Sequence, residues 1–507
     1  MTTGTTSTQA DRDGDDRLDR GVLLVAGVVV LGAIMSILDI TVVSVAQPTF
    51  QDVFDASPAA AAWTMTGYTL ALATVIPVSG WAADRFGTKR LYMVAVLLFA
   101  AGSALCALAT SIETLTAFRV LQGLGGGMLM PVGMTIMTRA AGPDRVGRVM
   151  AVLGVPMLLG PIFGPILGGW LIDVASWHWI FLINVPIGAV ALVYAARVLP
   201  RDDVSPSETF DWIGMLLLSP GLALFLFGVS SIPGEGTVLA ARVLVSAAVG
   251  ALLVVAFVFR ELSSRRDHPL IDLHLFRNSR LTVAVIAMAL FAIAFFGASL
   301  LFPQYFLLTR HETTLSAGLL LAPQGIGAML TMPVAGVLSD RIGPGKIVLT
   351  GIAVIVVAMA AFTQVGVGTS EVVASGDGFA AQSPSYAFLI GALFVMGLGM
   401  GCTMMPIMTA ALQTLQDHEI ARASTLMNIN QQVAASIGTA LFSVLLTNGF
   451  NGSRATTPTG VVSDMTGSFA TCFVVGTVLV ACCLVPAFFL PRTRPPKAVD
   501  PAAVVGH

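Results

Sequence analysis

The chain has 507 residues, of which 56% are hydrophobic and only 11% charged, too little charge to cover several water-soluble domains. Its net charge of −2 offers no basic surface for a nucleic acid. What remains is a membrane protein: the sequence repeats apolar runs of about twenty residues, each long enough to cross a hydrocarbon core of about 30 Å. Five cysteines (Cys106, Cys402, Cys472, Cys482 and Cys483) all fall inside such runs and read as packing residues, not as a disulfide set.

Residues 1–20 are polar, small and charged and read as a disordered cytoplasmic tail. No small-residue cleavage site follows, so no removable leader is expected. Spans are expected at 21–46, 60–83, 90–110, 113–138, 147–172 and 178–198, then at 212–231 and 238–260. Six more follow at 281–308, 317–339, 346–367, 386–413, 422–447 and 466–490, fourteen in all. With both termini in the cytoplasm, most basic residues of the short loops fall on the cytoplasmic side, and Arg242, Arg310 and Arg454 fall outside. An odd number of spans would break that alternation. Backbone inside a bilayer must satisfy its own hydrogen bonds, so the fold class is all-α and polytopic.

The first charge inside an apolar run is Asp39, in the first span. The only other full charge well inside a span is Arg119, in the fourth. At 1.5 Å of rise per residue the two lie at about the same depth, roughly 9–12 Å below the outer edge. Interior ionisable groups are costly and usually face one another or a cavity. Low dielectric favours a neutral acid, and a nearby arginine favours the charged one. Alternation between the two settings would load and release a proton. A static pair that only holds the first and fourth spans in register is the other reading. Gln122 is one helical turn from Arg119 on the same face, where it either orients the arginine or touches a solute.

The second span ends in GWAADRFG, from Gly80 through Asp84 and Arg85 to Gly87, with Arg90 just beyond. The tenth ends in GVLSDRIG, with Asp340 and Arg341 in the same places. A second match pairs Gln122–Gly127 in span four with Met396–Gly401 in span twelve. The chain therefore reads as six spans, an inserted pair and six spans again. Its expected units are an N-terminal bundle at 21–200, the pair at 201–265, a C-terminal bundle at 266–490 and a tail at 491–507. A carboxylate at Asp84 or Asp340 can face the positive N-terminus of a neighbouring helix and release it when the halves rock. A tight turn that merely fixes topology would use the same residues.

In span five, Gly160, Gly164 and Gly168 are four apart and form one flat stripe, with Gly154 before them and Pro161 and Pro165 between them. This is either a bent, closely packed hinge or ordinary helix packing. Met35, Trp63, Tyr68 and Met130 lie near the depth of Asp39, and Met404, with Phe295, lies in the second half. Adaptable methionine and aromatic surfaces suit a promiscuous cavity, although such residues also pack or face lipid. The neutral amides Asn428, Asn430, Gln431 and Gln432 in span thirteen fit substrate contact and helix packing equally well. No nucleotide-binding loop, metal cluster or nucleophilic constellation stands out.

These motifs together resemble the major facilitator superfamily, in particular its fourteen-span drug:proton antiporters. GWAADRFGTKR is similar to the signature between spans two and three, and Arg119–Gly123 to that of span four. GVPMLLGPIFGPILGG from Gly154 is similar to the antiporter motif of span five, and Leu38–Val43 to the span-one motif. The stretches Trp177–Pro186 and His268–Asp272 are also branch-like. The resemblance implies two six-helix bundles with two extra helices and a secondary transporter, not an enzyme. It assigns gating to Asp84, Arg85 and Arg90. It also implies no cofactor, a proton as coupling ion, small amphipathic substrates, no partner beyond the lipid bilayer and a monomer. The expected location is a bacterial cytoplasmic membrane. The expected function is export of amphipathic, cationic or neutral, toxic compounds. Export of one endogenous metabolite, lipid or antibiotic is the alternative. A membrane enzyme or receptor would need polar catalytic residues or a soluble module, and neither is visible.

Overall fold

The computed structural model describes residues 19–492 apart from 143–144, 203–209, 236–238, 264–269, 367–371, 376–377, 382–383, 414, 417 and 452–457. The branch-like His268 and Pro269 and nearly all of both tails lie outside the described residues. In chain order the first half holds α1 (Arg20–Val45), α2 (Gln47–Phe54), α3 (Pro58–Phe86), α4 (Thr88–Ala107), α5 (Ile112–Ala141), α6 (Val146–Val174), α7 (Trp179–Leu182) and α8 (Asn184–Val198). Next come α9 (Trp212–Glu235) and α10 (Ala241–Ser263). The second half holds α11 (Ser279–Thr309), α12 (Thr314–Ile342), α13 (Pro344–Phe362), α14 (Tyr386–Gly401), α15 (Met404–Leu412), α16 (Ile420–Asn451), α17 (Pro458–Cys482) and α18 (Leu484–Phe488). Among the described residues, thirteen helical segments are long and apolar enough to cross a membrane. The fifth expected span, outside that set, is the 29-residue helix α6.

Several helices start where polar side chains satisfy free backbone N–H groups. Ser57 accepts from Ala60 N at the start of α3, and Thr313 from Ser316 N at the start of α12. Ser111 caps α5 by accepting from Thr114 N, and Ser385 caps α14 by accepting from Phe388 N. Each such cap contributes about 1 kcal/mol. The two halves thus begin corresponding helices in the same way. They also end them alike. Gly87 closes α3 at φ +91° and Gly343 closes α12 at φ +90°, a backbone region that disfavours any side chain. That accounts for the last glycine of each GxxxDRxG turn.

Helix crossings repeat too. A methyl on Gly123 would meet the Tyr68 carbonyl of α3, and one on Gly397 would meet the Gln324 carbonyl of α12. Gly125 lies against Ala95 and Phe99 of α4, as Gly399 lies against Gly351 and Ile355 of α13. Glycine at these positions lets helix backbones touch.

The halves meet at the end that carries the two GxxxDRxG turns. There α3 and α5 pack on α16, and α6 packs on α12 and α15. Gly80 abuts Ala421, Arg422 and Thr425 of α16, and Gly336 abuts Gly147, Arg148 and Ala151 of α6. Ser79 and Thr425 share a hydrogen bond of 3.1 Å across this seam.

The inserted helix α9 packs on both α3 and α16, so it bridges the halves on one side. Between α13 and α14, Val372–Ser375 pairs antiparallel with Gly378–Ala381. The five cysteines are all free.

Candidate functional site

Asp39 and Arg119 lie inside the first half, 2% and 1% exposed. An Arg119 terminal nitrogen (Nη1) donates to Asp39 Oδ2 and, at 2.7 Å, to Gln122 Oε1. Arg119 Nε donates to the Thr64 carbonyl at 3.1 Å, and the guanidinium lies 4.1 Å above the Tyr68 ring. The other carboxylate oxygen accepts from Gln122 Nε2 at 2.8 Å and from Asn184 Nδ2 at 3.4 Å. Ser103 Oγ accepts from both amides, at 3.2 and 3.1 Å, and itself donates to the Phe181 carbonyl at 2.9 Å. Tyr68 reaches Ser36 at 3.3 Å.

Six elements of the first half (α1, α3, α4, α5, α7 and α8) therefore converge on one carboxylate and one guanidinium. Burying both charges is tolerable because both carboxylate oxygens have donors and the guanidinium has three acceptors and an aromatic face. Gln122 is a bridge: its oxygen holds the cation and its nitrogen holds the anion. Asn184 and Ser103 were not identified as site residues from the sequence. The signal for Asn184 was present, since it stands in the branch-like stretch Trp177–Pro186. Ser103 carried none, because one serine in an apolar helix usually bonds its own backbone.

The glycine stripe of α6 finds its partner in α1. A methyl on Gly160 would lie 2.1 Å from Ile37 Cγ2, and one on Gly164 would lie 1.9 Å from Thr41 Oγ1. Gly168 faces Val42 at 3.1 Å. The stripe thus seats the very helix that carries Asp39. Gly154 lies against Met332 and Met405, across the seam between the halves. The side chains of Pro161 and Pro165 lie outside the described residues.

The two copies of the turn motif differ. Asp340, 4% exposed, accepts from the backbone N–H of Gly147 at 2.9 Å and of Arg148 at 3.3 Å, at the N-terminus of α6. Gln413 also donates to it, at 3.3 Å. Asp84 instead lies 3.3 Å from Arg139 Nη2 of α5 and 3.8 Å from Arg422 Nε of α16. Arg90 turns away from Asp84 toward Asp202, 3.9 Å off, in the segment after α8. Asp202 also accepts from the Lys89 and Arg90 backbone N–H groups and so caps α4. Arg85 is half-buried and Arg341 exposed, each in the last turn of its helix.

The residues named for substrate contact scatter. Tyr68 and Gln122 belong to the charge network. Met35 is fully buried, Met404 nearly so and Met130 half-buried. Trp63 is 40% exposed and stacks on Phe227 of α9, with ring centres 5.6 Å apart.

The comparisons agree with this architecture. The sequence pattern of the Major Facilitator Superfamily matches residues 29–439. The chain is 50% identical over 513 aligned residues to a Mycobacterium tuberculosis protein named multidrug resistance protein B homolog, covering 95% of this chain and 92% of that one. It is 31% identical over 414 residues to the multidrug export protein EmrB of Haemophilus influenzae, covering 81% and 78%. Among solved structures, the human organic anion transporter MFSD10 superposes with a TM-score of 0.59 at 18% identity, over 92% of this chain and 99% of that one, a likeness of fold. The chain belongs to the major facilitator superfamily, and within it to a group whose relatives include EmrB-type proteins.

Proposed function

We propose that the protein is a proton-coupled antiporter that exports amphipathic drugs or toxic compounds across a bacterial cytoplasmic membrane. In this reading it has fourteen spans, both termini are cytoplasmic and the monomer is the working unit. Residues 21–200 and 266–490 form the moving bundles, and 201–265 supply the inserted pair. The names of its multidrug-resistance and multidrug-export relatives support the assignment.

The observation that carries it is the sealed Asp39–Arg119 network. While the guanidinium and two amides hold it, Asp39 is a carboxylate with its charge balanced. Separation of α1 from α5 would leave that charge uncompensated in low dielectric. A proton, or a cationic cargo, then removes the cost. Because both neutralise the same group, each excludes the other, and exchange follows. With the motif turns on the cytoplasmic side, in line with the basic residues, the seam there is closed to the cytoplasm. Opening it would require Asp340 to leave the N–H groups of Gly147 and Arg148.

The test is transport by purified protein in proteoliposomes under an imposed pH gradient, with several unrelated amphipathic dyes. Flux of several dyes that rises with the gradient is expected. Flux indifferent to the gradient would remove the coupling, and flux of only one solute among many would favour the single-metabolite exporter.

A further inference from the structure

We propose that the second half contains its own apolar subsite, inside the bundle rather than between the halves, which takes a ring-bearing apolar portion of the cargo. This rests on the export reading above and assigns a place to part of the substrate.

The repeat locates the subsite. Gly160 of α6 meets Ile37 of α1, and Gly438 of α16 meets Ile293 of α11, so Asp39 and Phe295, each two residues on, occupy matching places. The matched crossings of Gly123 with Tyr68 and Gly397 with Gln324 put Gln324 where the first half has Tyr68. One residue before those glycines, Gln122 is matched by Met396. The crossings of Gly125 on Phe99 and Gly399 on Ile355 likewise match Ser103 with Met359, each four residues further along. The helix frame that gathers Asp39, Gln122, Ser103 and Tyr68 in one half gathers Phe295, Met396, Met359 and Gln324 in the other.

These four residues line a narrow cleft, together with Met400 and Ser299. No charged residue lines it. Its free space is about 20 Å³, room for about one water. It is therefore closed down in this state, but its walls can yield. Methionine side chains have three rotatable bonds and re-pack around different shapes. Gln324 Nε2 donates to Met400 Sδ at 3.1 Å, and a thioether is a weak acceptor that a carbonyl or ether on a cargo replaces at little cost. Aromatic faces and polarisable sulfur favour flat rings over alkyl chains. Any charge on the cargo stays outside the cleft. The division of labour is thus one half for charge and one half for rings.

The experiment is photolabelling of the wild-type protein in nanodiscs with ethidium monoazide, with unlabelled ethidium as competitor. Competable label on peptides of α11 and α14 is expected. Label confined to the first half or to the seam overturns the subsite. In parallel, Met400→Ala, which removes a wall contact, and Ser299→Trp, which fills the cleft from an exposed position, should each weaken ethidium binding about tenfold. Their coupling to pH should not change. Wild-type ethidium affinity in both variants also overturns the subsite, and leaves the export reading intact if gradient-driven dye flux persists. A wild-type protein that neither binds nor moves any ring-bearing compound overturns both.

Discussion

Replacing Asp39 by asparagine keeps the volume, removes one charge and leaves Arg119 buried without its counter-ion. Removing one partner of a buried pair costs about 3–5 kcal/mol. Here the guanidinium retains the Thr64 carbonyl, Gln122 Oε1 and the face of Tyr68. Those contacts place the loss at the low end, about 3 kcal/mol. Arg119→Gln alone strands the carboxylate, which keeps only the Gln122 and Asn184 amides. The double variant, Asp39→Asn with Arg119→Gln, removes both charges and should recover about 2 kcal/mol relative to either single change. Wild type, both singles and the double variant would be unfolded thermally in the same detergent at one scan rate. The expected order of apparent Tm puts the double variant between wild type and the singles. In proteoliposomes all three variants should lose gradient-driven dye export, while dye exchange without a gradient persists at least in the double variant. A double variant less stable than both singles would refute the pairing argument. Gradient-driven export at the wild-type rate in Asp39→Asn would refute the coupling argument, whatever the stability.

Gly164→Val should abolish export, because even its Cβ would stand 1.9 Å from Thr41 Oγ1 and 3.2 Å from the Thr41 backbone. Overpacking of this kind costs about 1–3 kcal/mol and displaces α1, with Asp39 on it. Gly169→Ala is the control: nothing lies within 4 Å of its added carbon, and export assayed alongside should be unchanged. Equal loss in both would mean that the helix, not its seat on α1, is what matters. Asp340→Asn should open the seam at the motif end more often than Asp84→Asn does, since Asp340 holds two backbone N–H groups of α6. Spin-label distances across that end, from exposed positions on α3 and α12 to α16 and α6, would report it. Identical distance distributions in both variants and wild type would count against the gating role.

The sequence by itself determined the helices and their order, since a bilayer forces any long apolar run to satisfy its backbone internally. It also exposed Asp39 and Arg119, because a charge in such a run is too costly to be incidental. The paired turn motifs showed the repeat, and the matching caps Ser57 and Thr313 follow it. The tertiary structure alone decided which faces meet. It drew Asn184 and Ser103 into the network, seated the α6 stripe on α1, gave Arg90 to Asp202 and turned Trp63 toward α9. Hydropathy is nearly blind to rotation of a helix about its own axis when all of its sides are apolar. Only packing between residues as far apart in the chain as Asp39 and Asn184 fixes that angle, and with it the partner of every polar group inside.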